Sequence, residues 1–172
     1  MDTIGKIYTV SFFGHRNIDN ILLVENKLKT LIKNLINENP FVEFLVGRNG
    51  DFDEIVASCI TNVKRTYRSD NCALVLVLPY LTAEYKNNSK SFEEYFDEIE
   101  ICNESNSAHF KSAIQIRNRH MIDRSNLIVC YINKKSGGHT NLFVMPQKTR
   151  KILLTSKNWY KKDTRLGVFL LI

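Results

Sequence analysis

Short apolar runs alternate with amphipathic stretches along this chain, and that alternation restricts its fold more than any other feature. Ile7 to Phe13, Phe41 to Val46, Cys72 to Leu78 and Leu127 to Ile132 read as buried strands. After the first, Val24, Leu28, Leu31, Ile32, Leu35 and Ile36 recur at helical spacing, with Asp19 or Asn20 as the cap and Asn39-Pro40 as the stop. After the second, Asp51 caps a helix with the stripe Phe52, Ile55, Val56, Cys59, Ile60 and Val63. The middle is less regular. Leu81 to Lys90 reads as loop, Ser91-Phe92-Glu93-Glu94 has capping-box form, and Ile99 to Cys102 suits a brief strand. Asn103 to Ser107 is turn-like, and a helix over 108–124 has the buried stripe Phe110, Ala113, Ile114 and Met121. Further strands are predicted at Lys151 to Leu154 and Val168 to Ile172, with a helix beginning near Thr140. Strands alternating with helices predict an α/β fold with a mainly parallel sheet. The 172 residues read as one domain.

Three glycine-bearing turns directly follow apolar runs: Gly14-His15-Arg16, Gly47-Arg48-Asn49-Gly50-Asp51 and Gly137-Gly138-His139-Thr140. In a parallel sheet they share the carboxyl edge, where ligands bind. Glycine lets backbone N–H groups approach a ligand closely, and a helix N-terminus beside it favours negative charge. The edge therefore reads as a crevice for a phosphorylated small molecule. Arg16 can fork onto a phosphate or stand as a solvated charge. Asp53 and Glu54 can serve the helix dipole, accept from ribose hydroxyls or act as a base. Arg117 falls beside an apolar stripe and needs a partner, either a protein acid or an anion in the crevice. Tyr80 and Tyr85 can stack on a base or simply pack in a loop. The patterns GxxxxGK[ST] and GxGxxG are both absent.

The net charge of +6 fits a binder of phosphate or nucleic acid but does not require one. Cys59, Cys72, Cys102 and Cys130 form no CxxC pair and read as reduced thiols of a cytoplasmic protein. They show no zinc-ligand spacing with His15, His109, His120 or His139, so no metal is expected, and His109 and His120 read as surface residues. Neither a signal peptide nor a membrane span is read from the sequence.

Phe12-Phe13-Gly14-His15-Arg16, the segment from Val46 to Asp53, the segment from Arg117 to Asn126, and Ser136-Gly137-Gly138-His139-Thr140 together resemble the small stand-alone bacterial proteins of the SLOG superfamily, close to its YpsA-like group. The likeness runs over about residues 7–155. That superfamily also contains the Lonely-guy phosphoribohydrolases and the DNA-processing protein DprA. The resemblance implies a Rossmann-like three-layer fold that binds nucleotides or nucleotide-derived ligands. It assigns ligand contacts to Gly14, Arg16, Gly47, Asp53, Arg117, Asn118, Asp123, Gly137, Gly138 and Thr140; His15 and Arg48 join them from the turns themselves. The sequence departs from that family's pattern in four places. His139 interrupts their Gly-Gly-Thr, Asn133 and Asn126 stand where acids are common, and no Glu follows Thr140. The last departure removes the carboxylate that N-glycosidic hydrolysis wants.

Three functions follow as expectations. The first is a nucleotide-ligand binding or sensing module with no cofactor of its own, as a monomer or homo-oligomer. The second is a nucleotide-processing enzyme using Asp53 or Glu54. The third is a DNA binder using Lys64, Arg65, Arg68, Lys157, Lys161 and Lys162.

Overall fold

The computed structural model describes residues 6–18, 20–106, 108–132, 150–155, 161–163 and 168–171, with the backbone alone from 150 onward and at 106, 111 and 132. The expected glycine turn at 137–140, with Asn133 before it, lies outside the described residues.

The first strand, β1 (Ile7–Gly14), shows why the sheet is buried on both faces. Val10 and Phe12 face one helix layer, and Ser11 and Phe13 face the other. Helix α1 (Ile21–Glu38) buries Val24, Leu28, Ile32, Leu35 and Ile36. Its end is fixed by Asn39, whose Nδ2 donates to the Leu35 carbonyl (2.8 Å). Strand β2 (Phe41–Val46) follows, then α2 (Asp51–Thr66), which packs beside α1 and buries Phe52, Val56, Cys59, Ile60 and Val63. Strand β3 (Cys72–Leu78) is apolar throughout because helices cover both its sides.

Helix α3 (Ala83–Tyr95) corrects the loop reading of 81–90. Thr82 caps it by accepting from the Tyr85 N–H (3.2 Å), and Ser91 lies inside it instead of starting a helix. Only Phe92 is buried, so no apolar stripe announced this helix. Strand β4 (Glu98–Ile101) and the short α4 (Asn103–Asn106) lead to α5 (Phe110–Arg124) and β5 (Leu127–Ile132). Strands β6 (Arg150–Thr155), β7 (Lys161–Asp163) and β8 (Val168–Leu171) complete the sheet. No sequence pattern announced β7.

The strand order is β4-β3-β2-β1-β5-β6-β8-β7. Every neighbouring pair is parallel except β7 with β8. This is the expected α/β, Rossmann-like arrangement. Helices α1, α2 and α3 contribute to one core layer, and α5 supplies Met121 and Ile122 to the other. The order reverses between β1 and β5, so the chain leaves these two neighbours toward opposite sides and opens a crevice at their carboxyl ends. Among the described residues, no helix is long and apolar enough to cross a membrane.

Candidate functional site

A cavity of about 400 Å³ lies at that reversal. It is lined by Gly14, His15 and Arg16 from the end of β1, Gly47, Asn49 and Gly50 from the turn after β2, Asp53 from α2, Gln115, Arg117 and Asn118 from α5, and Tyr131 from β5. The first two glycine turns therefore meet, as the parallel-sheet reading required. Asp51 N–H donates to the Arg16 carbonyl (2.9 Å). A side chain on Gly50 would place its Cβ 2.7 Å from Arg16 Cα, so only glycine lets the two turns cross this closely. Asp51 is not the cap the sequence suggested. The cap position is Gly50, and Asp51 is the first helical residue.

Arg117 is the centre of the site. Ala113, Arg117 and Met121 are spaced four apart along the buried face of α5, and Ser125 continues the row just past its end. Phe110 and Ile114, expected on that face, sit at its margin, Phe110 57% exposed and Ile114 partly buried. Arg117 is only 2% exposed, and its Nη1 donates to the Val77 carbonyl (3.0 Å). The Asn49 amide satisfies its surroundings when its oxygen faces Arg117 Nη2 (2.5 Å) and its nitrogen donates to the Arg48 carbonyl (3.2 Å). Nε has no partner among the described residues. No carboxylate there comes within salt-bridge distance of Arg117; Asp53 attracts it only through space. Burial pulls the guanidinium pKa down, against that attraction. Gly47 provides the room: a Cβ there would overlap Arg117 Nη1 and lie 2.9 Å from an Asp53 oxygen.

Asp53 braces the turn. Its Oδ2 accepts from the Asn49 backbone N–H (2.9 Å). Burial pushes its pKa above 3.8, opposed by that hydrogen bond and by Arg117. The folded chain therefore keeps a proton that the unfolded chain has released. Stability should fall as pH rises from about 3.8 through the raised folded value. Urea unfolding of wild type and Asp53→Asn across that acid range should show wild type losing ground steadily to the variant. A difference that does not change with pH would contradict this origin.

Not every expected residue gathers here. Arg48 turns away, pairing with Glu84 (2.8 Å) and lying over the Phe92 ring (4.9 Å). Asp123 pairs with Arg119 on the surface (3.4 Å). Glu54 lines a separate, smaller cavity with Arg48, Tyr95 and Phe96. Tyr85 stacks edge-on against Phe92 (5.6 Å), and neither it nor Tyr80 reaches the site. Asn126 docks the end of α5 to β1: its side chain accepts from the Thr9 N–H and its own N–H donates to the Thr9 carbonyl, both at 2.8 Å. Lys64 pairs with Asp97 and Arg68 with Asp70, which lowers the free positive charge that α2 and the loop after it offer a polyanion. The sequence reading missed Asn49 and Gln115. Gln115 and Asn118 are three apart on α5, a helical spacing that flags them once Arg117 is placed.

The chain matches no protein-family model and no curated protein. The site's chemistry rests on its geometry. A buried cation with an unused donor, an exposed Arg16 without an acidic partner among the described residues, and backbone turns at a strand-order reversal thus share one cavity.

Proposed function

We propose that the cavity binds a nucleotide or nucleotide-derived ligand, with the phosphate held between Arg16 and Arg117. The observation that carries this reading is the buried guanidinium of Arg117, which lines the cavity without a salt bridge among the described residues. A protein tolerates such a cation where an anion completes it. Asn118 and Gln115 supply amide groups for a sugar or base, and Asp53 supplies the acceptor for a sugar hydroxyl. Asp53 is the sole carboxylate among the described lining residues, so the cavity offers one acid where glycoside hydrolysis uses two. Binding or sensing is thus favoured over turnover.

The test is a thermal-shift panel with AMP, ADP-ribose, ribose 5-phosphate and cyclic dinucleotides. A ligand at 100 times its Kd should stabilise the fold by about 2.7 kcal/mol. No stabilisation by any of these compounds would overturn the proposal. Chromatography of the same mixtures reads out turnover directly, and a product peak would assign the site to an enzyme instead.

A further inference from the structure

We propose that Cys102, Glu104 and His120 form a binding site for a divalent metal ion of zinc type, separate from the cavity at the strand-order reversal. One ligand atom from each lies within 4.8 Å of the others. The residues come from the loop after β4, from α4 and from the outer part of α5. Their sequence spacing therefore shows no metal motif, and His120, expected as a plain surface residue, is partly buried in the cluster.

The geometry suits a tetrahedral ion. Bonds of about 2.0–2.1 Å meeting at the tetrahedral angle put a nitrogen and an oxygen ligand roughly 3.4 Å apart. His120 Nδ1 and Glu104 Oε1 are 3.6 Å apart. The other ring nitrogen, Nε2, faces Glu100 Oε1 at 3.0 Å. A carboxylate behind the histidine fixes its tautomer with Nε2–H outward, leaving the Nδ1 lone pair for the ion. Glu100 is in turn held by Arg124, whose Nη1 is 2.8 Å from Glu100 Oε2.

The charges also close. On binding, the Cys102 thiol gives its proton to solvent. The thiolate and the Glu104 carboxylate then neutralise a divalent cation, the imidazole stays neutral, and Arg124 is shared between Glu100 and Glu43. A sulfur–nitrogen–oxygen donor set selects zinc or cobalt over magnesium or calcium.

Hydrogen bonds tie down the corner that carries Cys102 and Glu104. Cys102 N–H donates to the Leu78 carbonyl (2.9 Å), and the buried Ser105 hydroxyl donates to the Pro79 carbonyl. Glu104 is 68% exposed, which gives an ion its way in from solvent.

Cobalt(II) titration of the full chain tests the site. Wild type should develop a thiolate-to-cobalt charge-transfer band in the ultraviolet and visible d–d bands, saturating at one ion per chain and abolished by added zinc. Cys102→Ser should remove the charge-transfer band. Because Cys102 is buried, two gentler variants guard against misfolding: Glu104→Gln and His120→Gln should each weaken binding at least tenfold with an unchanged circular dichroism spectrum. Glu100→Gln should weaken it about 10–100-fold through the histidine. No charge-transfer band in wild type, or a band that saturates at the same cobalt concentration in Glu104→Gln and His120→Gln as in wild type, would overturn the proposal.

Discussion

Replacing Arg117 with methionine should abolish every phosphate-dependent thermal shift while leaving the fold as stable as wild type or more so. The two halves of this result have different causes. A charge-assisted hydrogen bond is worth about 1.5–3 kcal/mol, so losing a forked guanidinium from a phosphate site should weaken binding by at least about a hundredfold. Stability moves the other way. The guanidinium is buried, carries an unpartnered Nε and has no salt bridge among the described residues. Exchanging a buried charge that has no ion-pair partner for an apolar chain of similar length removes its desolvation cost, which offsets the hydrogen bonds lost at Val77 and Asn49. Methionine also suits the site because its neighbours on α5 include Met121 and Ala113. Chemical denaturation of the unliganded protein, run beside ligand-dependent thermal shifts, measures both halves. A variant destabilised by 3–5 kcal/mol would show that the guanidinium serves the fold, and the ligand argument would lose its main support.

Gly47→Ala should produce the second large effect, by a steric route. The new methyl would occupy the space of Arg117 Nη1 and crowd the Asp53 carboxylate. Arg117 is enclosed and cannot swing into solvent, so the strain should appear as a loss of about 1–3 kcal/mol together with loss of ligand response. The double variant Gly47→Ala with Arg117→Met separates this clash from any local backbone effect. If the clash is the cause, adding the alanine to the methionine background should cost little, giving a coupling of about 1–3 kcal/mol between the two sites. Additive effects would mean that the glycine is needed for its own backbone and has no bearing on the arginine.

The readable parts of the molecule are those where one physical cause dominates. Strands β1, β2, β3 and β5 are legible because burial on both faces writes a continuous apolar run. Helices α1 and α2 are legible because each lays one apolar stripe on the sheet. Helix α3 escapes because it buries little more than Phe92, and its Thr82 cap is a weak signal without a stripe behind it. Strand β7 escapes because it is three residues long and mostly charged.

The site divides along the same line. Gly14, Arg16, Gly47 and Asp53 were legible because turns after parallel strands must share an edge, and the structure brings all four to one cavity. Arg48 was misplaced because nothing local reveals that Glu84 and Phe92 wait for it across the surface. His120 was misread because its carboxylate partners, Glu100 and Glu104, belong to elements that meet it only after folding.

By itself, the sequence determined the layered α/β architecture and the edge on which its first two glycine turns gather, since hydrophobic periodicity and parallel connections are local rules. Only the tertiary structure decided that Arg117 is enclosed beneath Gly47, and that Cys102, Glu104 and His120 stand together. Electrostatic partners are chosen by distance through space, and residues far apart in the chain become neighbours only when the sheet and helices close around them.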